Sequence, residues 1–183
     1  MKIENSSRSK FIFLFIIAVF SILNGCAVGK WGYIDNNERM VIERHFDDAT
    51  PFAEGLAAVK LGNLWGYIDK TGKTVIELQF EGAWSFREGL ADVMKAGKWG
   101  YIDKKGNFVI PPQYEDSASF NEGLAPAKIA GKWGYIDKSG KIAIQPQFDY
   151  TFRFSEGLAA VKVGEKWGFI DKTGQLAIQP QFD

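Results

Sequence analysis

The chain has 183 residues, with 22 Lys+Arg balanced by 22 Asp+Glu, so no charge excess points to nucleic acid or another polyanion. One cysteine excludes an intrachain disulfide and a multi-cysteine metal site, and one histidine argues against a zinc enzyme or a histidine-dependent triad. With 20 glycines and 15% aromatic residues, the composition suits a turn-rich β protein; no cofactor is expected.

The first predicted element is a targeting segment, residues 1–25. Lys2, Arg8 and Lys10 precede an apolar run from Phe11 to Leu23, interrupted only by Ser21. That run falls short of the roughly 20 residues a spanning helix needs. A basic start, a short apolar stretch and then small residues is the pattern of a secretory signal. It ends in Leu23-Asn24-Gly25-Cys26, which resembles the bacterial lipobox and departs from it at Asn24, where Ala, Ser or Thr is favoured. The resemblance implies lipid attachment at Cys26 and anchorage to a membrane. It also implies the outer membrane in a diderm bacterium, because Ala27 and not Asp follows the cysteine. Residues 26–30 then form anchor and tether. Ala27 to Lys30 extend at most about 14 Å, so the folded body sits close to the headgroups.

Residues 31–183 repeat. Trp-Gly recurs at positions 31, 65, 99, 133 and 167, in steps of 34. Apolar and polar positions alternate with a period near two and no helical face persists, so the elements are strands. The last unit reads as strands over 157–162, 167–171 and 175–178. Asp69 to Gly72 and Asp171 to Gly174 form the hairpin loop between the second and third strands, with Asp accepting local N–H groups and Gly taking positive φ. In the first unit Glu38 replaces that glycine, and the preceding Asn36 and Asn37 are expected to bear the left-handed conformation. Trp65 and Tyr67 share one face of their strand; Gly66 and Ile68 share the other. A glycine beside each indole predicts a close backbone approach. Pro146 and Pro180 are expected to end the third strand, with looser corners where Arg44 and Leu78 replace proline.

The sequence Lys-Trp-Gly-Tyr-Ile-Asp-Lys, then Ile-x-Pro-Gln-Phe-Asp, then Phe-x-Glu-Gly-Leu-Ala is similar to the WG (or KWG) repeat family, and the similarity covers nearly everything after Cys26. It implies a bacterial β-repeat protein, often secreted or membrane-attached, with no catalytic residues to carry over. No single unit can bury its aromatics alone, so neighbours must stack. The expected fold is all-β: an open, twisted array of three-stranded antiparallel meanders, about four and a half units long. A propeller-like arrangement is the alternative, but a closed propeller completes one blade from both termini and this phase does not provide that.

Candidate chemistry is sparse. A row formed by Asp35, Asp69, Asp103, Asp137 and Asp171 suggests Ca²⁺, yet lysine follows four of the five, which opposes a cation and favours a turn role. Glu54, Glu88, Glu122 and Glu156 suggest a glycosidase pair, but they repeat, whereas a catalytic pair breaks symmetry. His45 stands where Gln79, Gln113, Gln147 and Gln181 stand, which reads as a corner residue. Pairs such as Trp133 with Tyr135 suit either core packing or a sugar-stacking groove. Trp84 lies outside the repeat code, its equivalents being Thr50, Ala118 and Phe152. With Arg87, Tyr150 and Arg153 it forms the candidate contact set. The expected function is a non-enzymatic, lipid-anchored envelope scaffold for a protein partner; the alternative is a module that binds glycan or peptidoglycan through aromatic faces.

Overall fold

The computed structural model of the chain describes residues 30–183 and, upstream, the backbone of Phe15–Ala18. The signal segment and Cys26 otherwise lie outside the described residues. Every regular element among the described residues is a strand. The first sheet holds β1 (Phe15–Ala18), β2 (Trp31–Ile34) and β3 (Met40–Phe46). The second holds β4 (Asp48–Ala49), β5 (Leu56–Leu61), β6 (Leu64–Asp69) and β7 (Thr74–Phe80). The third holds β8 (Gly82–Ala83), β9 (Ala91–Lys95), β10 (Lys98–Ile102) and β11 (Phe108–Tyr114). The fourth holds β12 (Asp116–Ser117), β13 (Leu124–Ile129), β14 (Lys132–Asp137) and β15 (Ile142–Phe148). The fifth holds β16 (Tyr150–Thr151), β17 (Leu158–Val163), β18 (Lys166–Asp171) and β19 (Leu176–Phe182). Each of these last four sheets is an antiparallel meander in chain order, so the expected three-stranded unit carries an additional two-residue strand at its leading edge.

The sheets stack as an open array, each on its sequence neighbours. Tyr67, Ile76 and Phe80 on one face of the second sheet pack against Ala91, Val93 and Ile102 of the third. The third sheet in turn places Tyr101, Ile110 and Tyr114 against Ala125, Ala127 and Ile136 of the fourth. The period of two therefore works twice: the central strands of the second, third and fourth sheets bury their Tyr face forward and their Ile face backward. Burying both faces explains why neither can be polar.

The Gly of each Trp-Gly pair is fixed by contact. A Cβ on Gly100 would lie 2.6 Å from the Ile110 carbonyl oxygen and 2.7 Å from Pro112 N; on Gly134 it would lie 2.5 Å from Ile144 O. The third strand bulges there: Trp133 pairs with Phe148 but Tyr135 with Ile144, so extra residues loop out opposite the glycine. Pro146 and Pro180 thus lie within β15 and β19 and do not end them. They sit in the bulge, where the ladder needs no N–H. Where Arg44 and Leu78 replace proline, the backbone nitrogen stands 3.0 and 2.9 Å from the notional Cβ, marginally farther than Pro112 and Pro146 at 2.7 Å. In the first hairpin Glu38 itself takes φ 62, and not the asparagines before it.

Candidate functional site

The repeated polar residues are consumed by construction. Asp69 Oδ1 accepts the N–H groups of Thr71 and Lys73 at 2.8 and 3.1 Å, and Asp35, Asp103, Asp137 and Asp171 repeat the pattern in their own turns. All five carboxyls lie below the usual carboxylate range: the side chains of Thr71, Asn107, Ser139 and Thr173 lead in lowering Asp69, Asp103, Asp137 and Asp171, the Arg39 N–H leads at Asp35, and the other backbone bonds add to this. Three of the four repeated glutamates serve between sheets, and Glu156 of the last sheet makes no such contact among the described residues. Glu54 adopts φ 52 in a two-residue turn before Gly55, accepts the Gly89 N–H of the next sheet at 3.2 Å, and pairs with Lys104 at 3.0 Å. Lys104 Nζ also donates to the Glu54 carbonyl. Glu88 with Gly123 and Lys138, and Glu122 with Gly157 and Lys172, repeat this staple. His45 is exposed, its ring centroid 3.9 Å from that of Phe46.

The tyrosines of the repeat, replaced by Phe169 in the last unit, position the variable residues. Tyr67 donates its hydroxyl hydrogen to the Trp84 carbonyl at 2.8 Å, Tyr101 to the Ala118 carbonyl at 2.9 Å, and Tyr135 to the Phe152 carbonyl at 2.8 Å. Each ring also packs on the phenylalanine two residues further on, with centroids 4.8–5.0 Å apart for Phe86, Phe120 and Phe154. Burial raises all three phenols far above their ordinary range, so they remain neutral donors. One residue per unit is thereby held at a fixed carbonyl with its side chain outward. At that place Trp84 is 54% exposed and Phe152 55% exposed.

Three of the four expected contact residues meet. Trp84, Tyr150 and Arg153 line one groove of about 400 Å³ with Trp99, Trp133, Phe152 and Asp116. Trp84 and Trp99 also line a second groove of about 430 Å³, shared with Trp65, Thr50 and Pro51. The two hollows thus lie side by side and share Trp84 and Trp99 in their walls. Tyr150 lies 5.6 Å from Trp133 and 5.5 Å from Phe152, and Phe152 stacks on Trp167 at 5.3 Å and 24°. The repeat indoles themselves are mostly packed: Trp99 is 9% and Trp133 6% exposed. They form walls, and the residues outside the repeat code supply the open faces. Arg87 is exposed but lies apart from this groove, in the tight turn bridged to Leu90.

Asp92 joins the site without having been singled out in the sequence. It is fully buried and lines the same groove. Its Oδ1 accepts the Ser119 hydroxyl at 2.9 Å, while Oδ2 has no partner. Burial pushes its pKa up to about 6, against the Ser119 bond and the field of Arg153, which lower it. The signal was available in the repeat itself: the equivalents of Asp92 are Ala58, Pro126 and Ala160.

Comparison with known proteins agrees with this architecture. No curated protein matches the chain. Two solved structures resemble it loosely: a plant lectin with two metal-binding sites from Cicer arietinum and a protein of unknown function from Bacteroides caccae. The lectin gives 9% identity and a TM-score of 0.32, over 69% of this chain and 86% of that one. The Bacteroides protein gives 14% and 0.36, over 82% and 74%. The family described as "WG containing repeat" matches five consecutive segments, 31–65, 65–99, 99–133, 133–167 and 167–183. It is a family of β repeats and not an enzyme family. With its invariant residues spent on turns, staples and stacking, the chain belongs to the WG repeat family.

Proposed function

We propose that the chain is a non-enzymatic, lipid-anchored scaffold of the cell envelope that docks a protein partner along the groove at Trp84 and Phe152. The observation carrying this reading is the pair of adjacent aromatic grooves, with open faces supplied by residues that differ between units. Trp, Tyr and Arg dominate the binding energy of protein interfaces, and Trp84, Tyr150 and Arg153 meet here. Non-enzymatic action fits the engagement of the repeated acids in turns and staples. Lipid at Cys26 holds the array at the membrane, in a diderm bacterium the outer one, and the tether leaves little slack. Replacing Cys26 by Ala abolishes metabolic labelling with a fatty acid; labelling that persists refutes the anchor.

Photo-crosslinking in the native cell from position 84, followed by identification of the captured species, tests the docking reading. A protein captured at 84 but not from a photo-probe at exposed Lys70 supports it. Equal capture from both positions, or none from 84, refutes it. A glycan or peptidoglycan strand is the second reading, favoured by flat aromatic faces beside the Asp92 and Asp116 carboxyls. Failure of isolated peptidoglycan to retain the protein sinks that alternative.

A further inference from the structure

We propose that the floor of the Trp84–Phe152 groove is a recognition pocket for a cationic side chain, Arg or Lys, of the docked protein, with the free Oδ2 of Asp92 as its acceptor. This rests on the protein-docking reading of the groove and names the chemistry the partner must present.

Three observations carry it. Asp92 is a fully buried carboxyl with one oxygen satisfied by Ser119 and the other unpartnered, at a position where two other units keep alanine. A buried charge left without a counter-ion is unfavourable, so such a group is retained where something completes it. Arg153 lines the same groove yet bonds to neither oxygen. The walls are Trp84, Trp99, Trp133, Tyr150 and Phe152, whose faces attract a cation and whose area covers its alkyl stem. Asp92 and Asp116 against Arg153 leave the groove one negative charge in excess, which disfavours an anion. A sugar hydroxyl would satisfy Oδ2 but leave the charge itself unneutralised. Because Asp92 is closed over, entry requires the side chains that line the groove to shift.

The groups facing Asp92 are the Tyr67 and Tyr101 phenols, Asp116 and Arg153. Both phenols stay neutral across the range where Asp92 titrates, near 6. A bound cation favours ionised Asp92, so affinity rises with pH through this region, about tenfold between pH 5 and 7.

The test uses the full chain in uncharged detergent micelles and two blocked tripeptides, glycine–arginine–glycine and its citrulline counterpart, titrated calorimetrically. At pH 7 the arginine peptide is expected to bind at least about tenfold more tightly than the citrulline one. Asp92→Asn, which keeps the shape and the Ser119 acceptor, removes that preference. Arg153→Ser, the residue at Ser85 and Ser119, removes the competing cation and strengthens arginine binding a few-fold. Equal affinity for both peptides overturns the proposal, as does an undiminished preference in a folded Asp92→Asn chain. Binding of an N-acetylglucosamine tetramer in place of the arginine peptide overturns it in favour of the glycan reading. No tripeptide binding alongside protein capture from position 84 defeats the cationic pocket alone, whereas loss of capture defeats the docking reading as well.

Discussion

At position 92 a carboxyl occupies a place that Ala58 and Ala160 fill with a methyl group. Its pKa is raised from 3.8 to about 6, so the native state holds a proton that the unfolded chain releases. The stability it contributes therefore falls as pH rises from about 4 to 6 and stays low above. At neutral pH the penalty is roughly 3 kcal/mol, at 1.36 kcal/mol per unit. Asp92→Ala is expected to stabilise the chain at pH 7 by roughly 2 kcal/mol after loss of the Ser119 bond. The gain should shrink towards pH 4 in urea unfolding, and a pH-independent difference would contradict this reading. Aligning the units exposes the substitution at 92, since one acid among small residues breaks the column. The role of Glu54 is not legible that way. Its partner Lys104 lies 50 residues on and meets it only once two sheets have stacked.

The strand–glycine–bulge combination is the element that sets the repeat. Gly100→Ala places a methyl 2.6 Å from a backbone oxygen and 2.8 Å from the Pro111 carbonyl carbon, neither of which can yield cheaply. A destabilisation of about 3 kcal/mol or more is expected in denaturant unfolding, and a loss below about 1 kcal/mol would show that the bulge is soft. The staples count for less, because they are half exposed. Lys138→Met, which frees Glu88, should lower stability by about 0.5 kcal/mol and by less in 1 M salt. Strand identity was readable from the two-residue alternation, and the close approach at glycine from its place beside every indole. The path of the third strand was not. Proline usually ends pairing, yet Pro146 continues β15 because the bulge opposite Gly134 removes the demand for its N–H. The short strands such as β12 were equally hidden, since two residues carry no period.

At the scale of the molecule, similar units form an open frame, and non-repeated side chains line its grooves. Trp84, Tyr150 and Arg153 were visible in the sequence as departures from the pattern, and stacking brings them into one groove. Arg87 departs equally and falls elsewhere, because a position's facing depends on the fold and not on its variability. Because each sheet is held by its neighbours through buried faces, the exposed groove residues can be changed without loosening the frame. The double substitution Trp84→Thr, Phe152→Thr installs at both sites the residue present at Thr50. Capture of the proposed protein partner should then be measured from a photo-probe at the neighbouring exposed Tyr150. With the thermal midpoint within about 2 °C of the parent chain, capture is expected to fall at least tenfold; undiminished capture would contradict the assignment of binding to this groove.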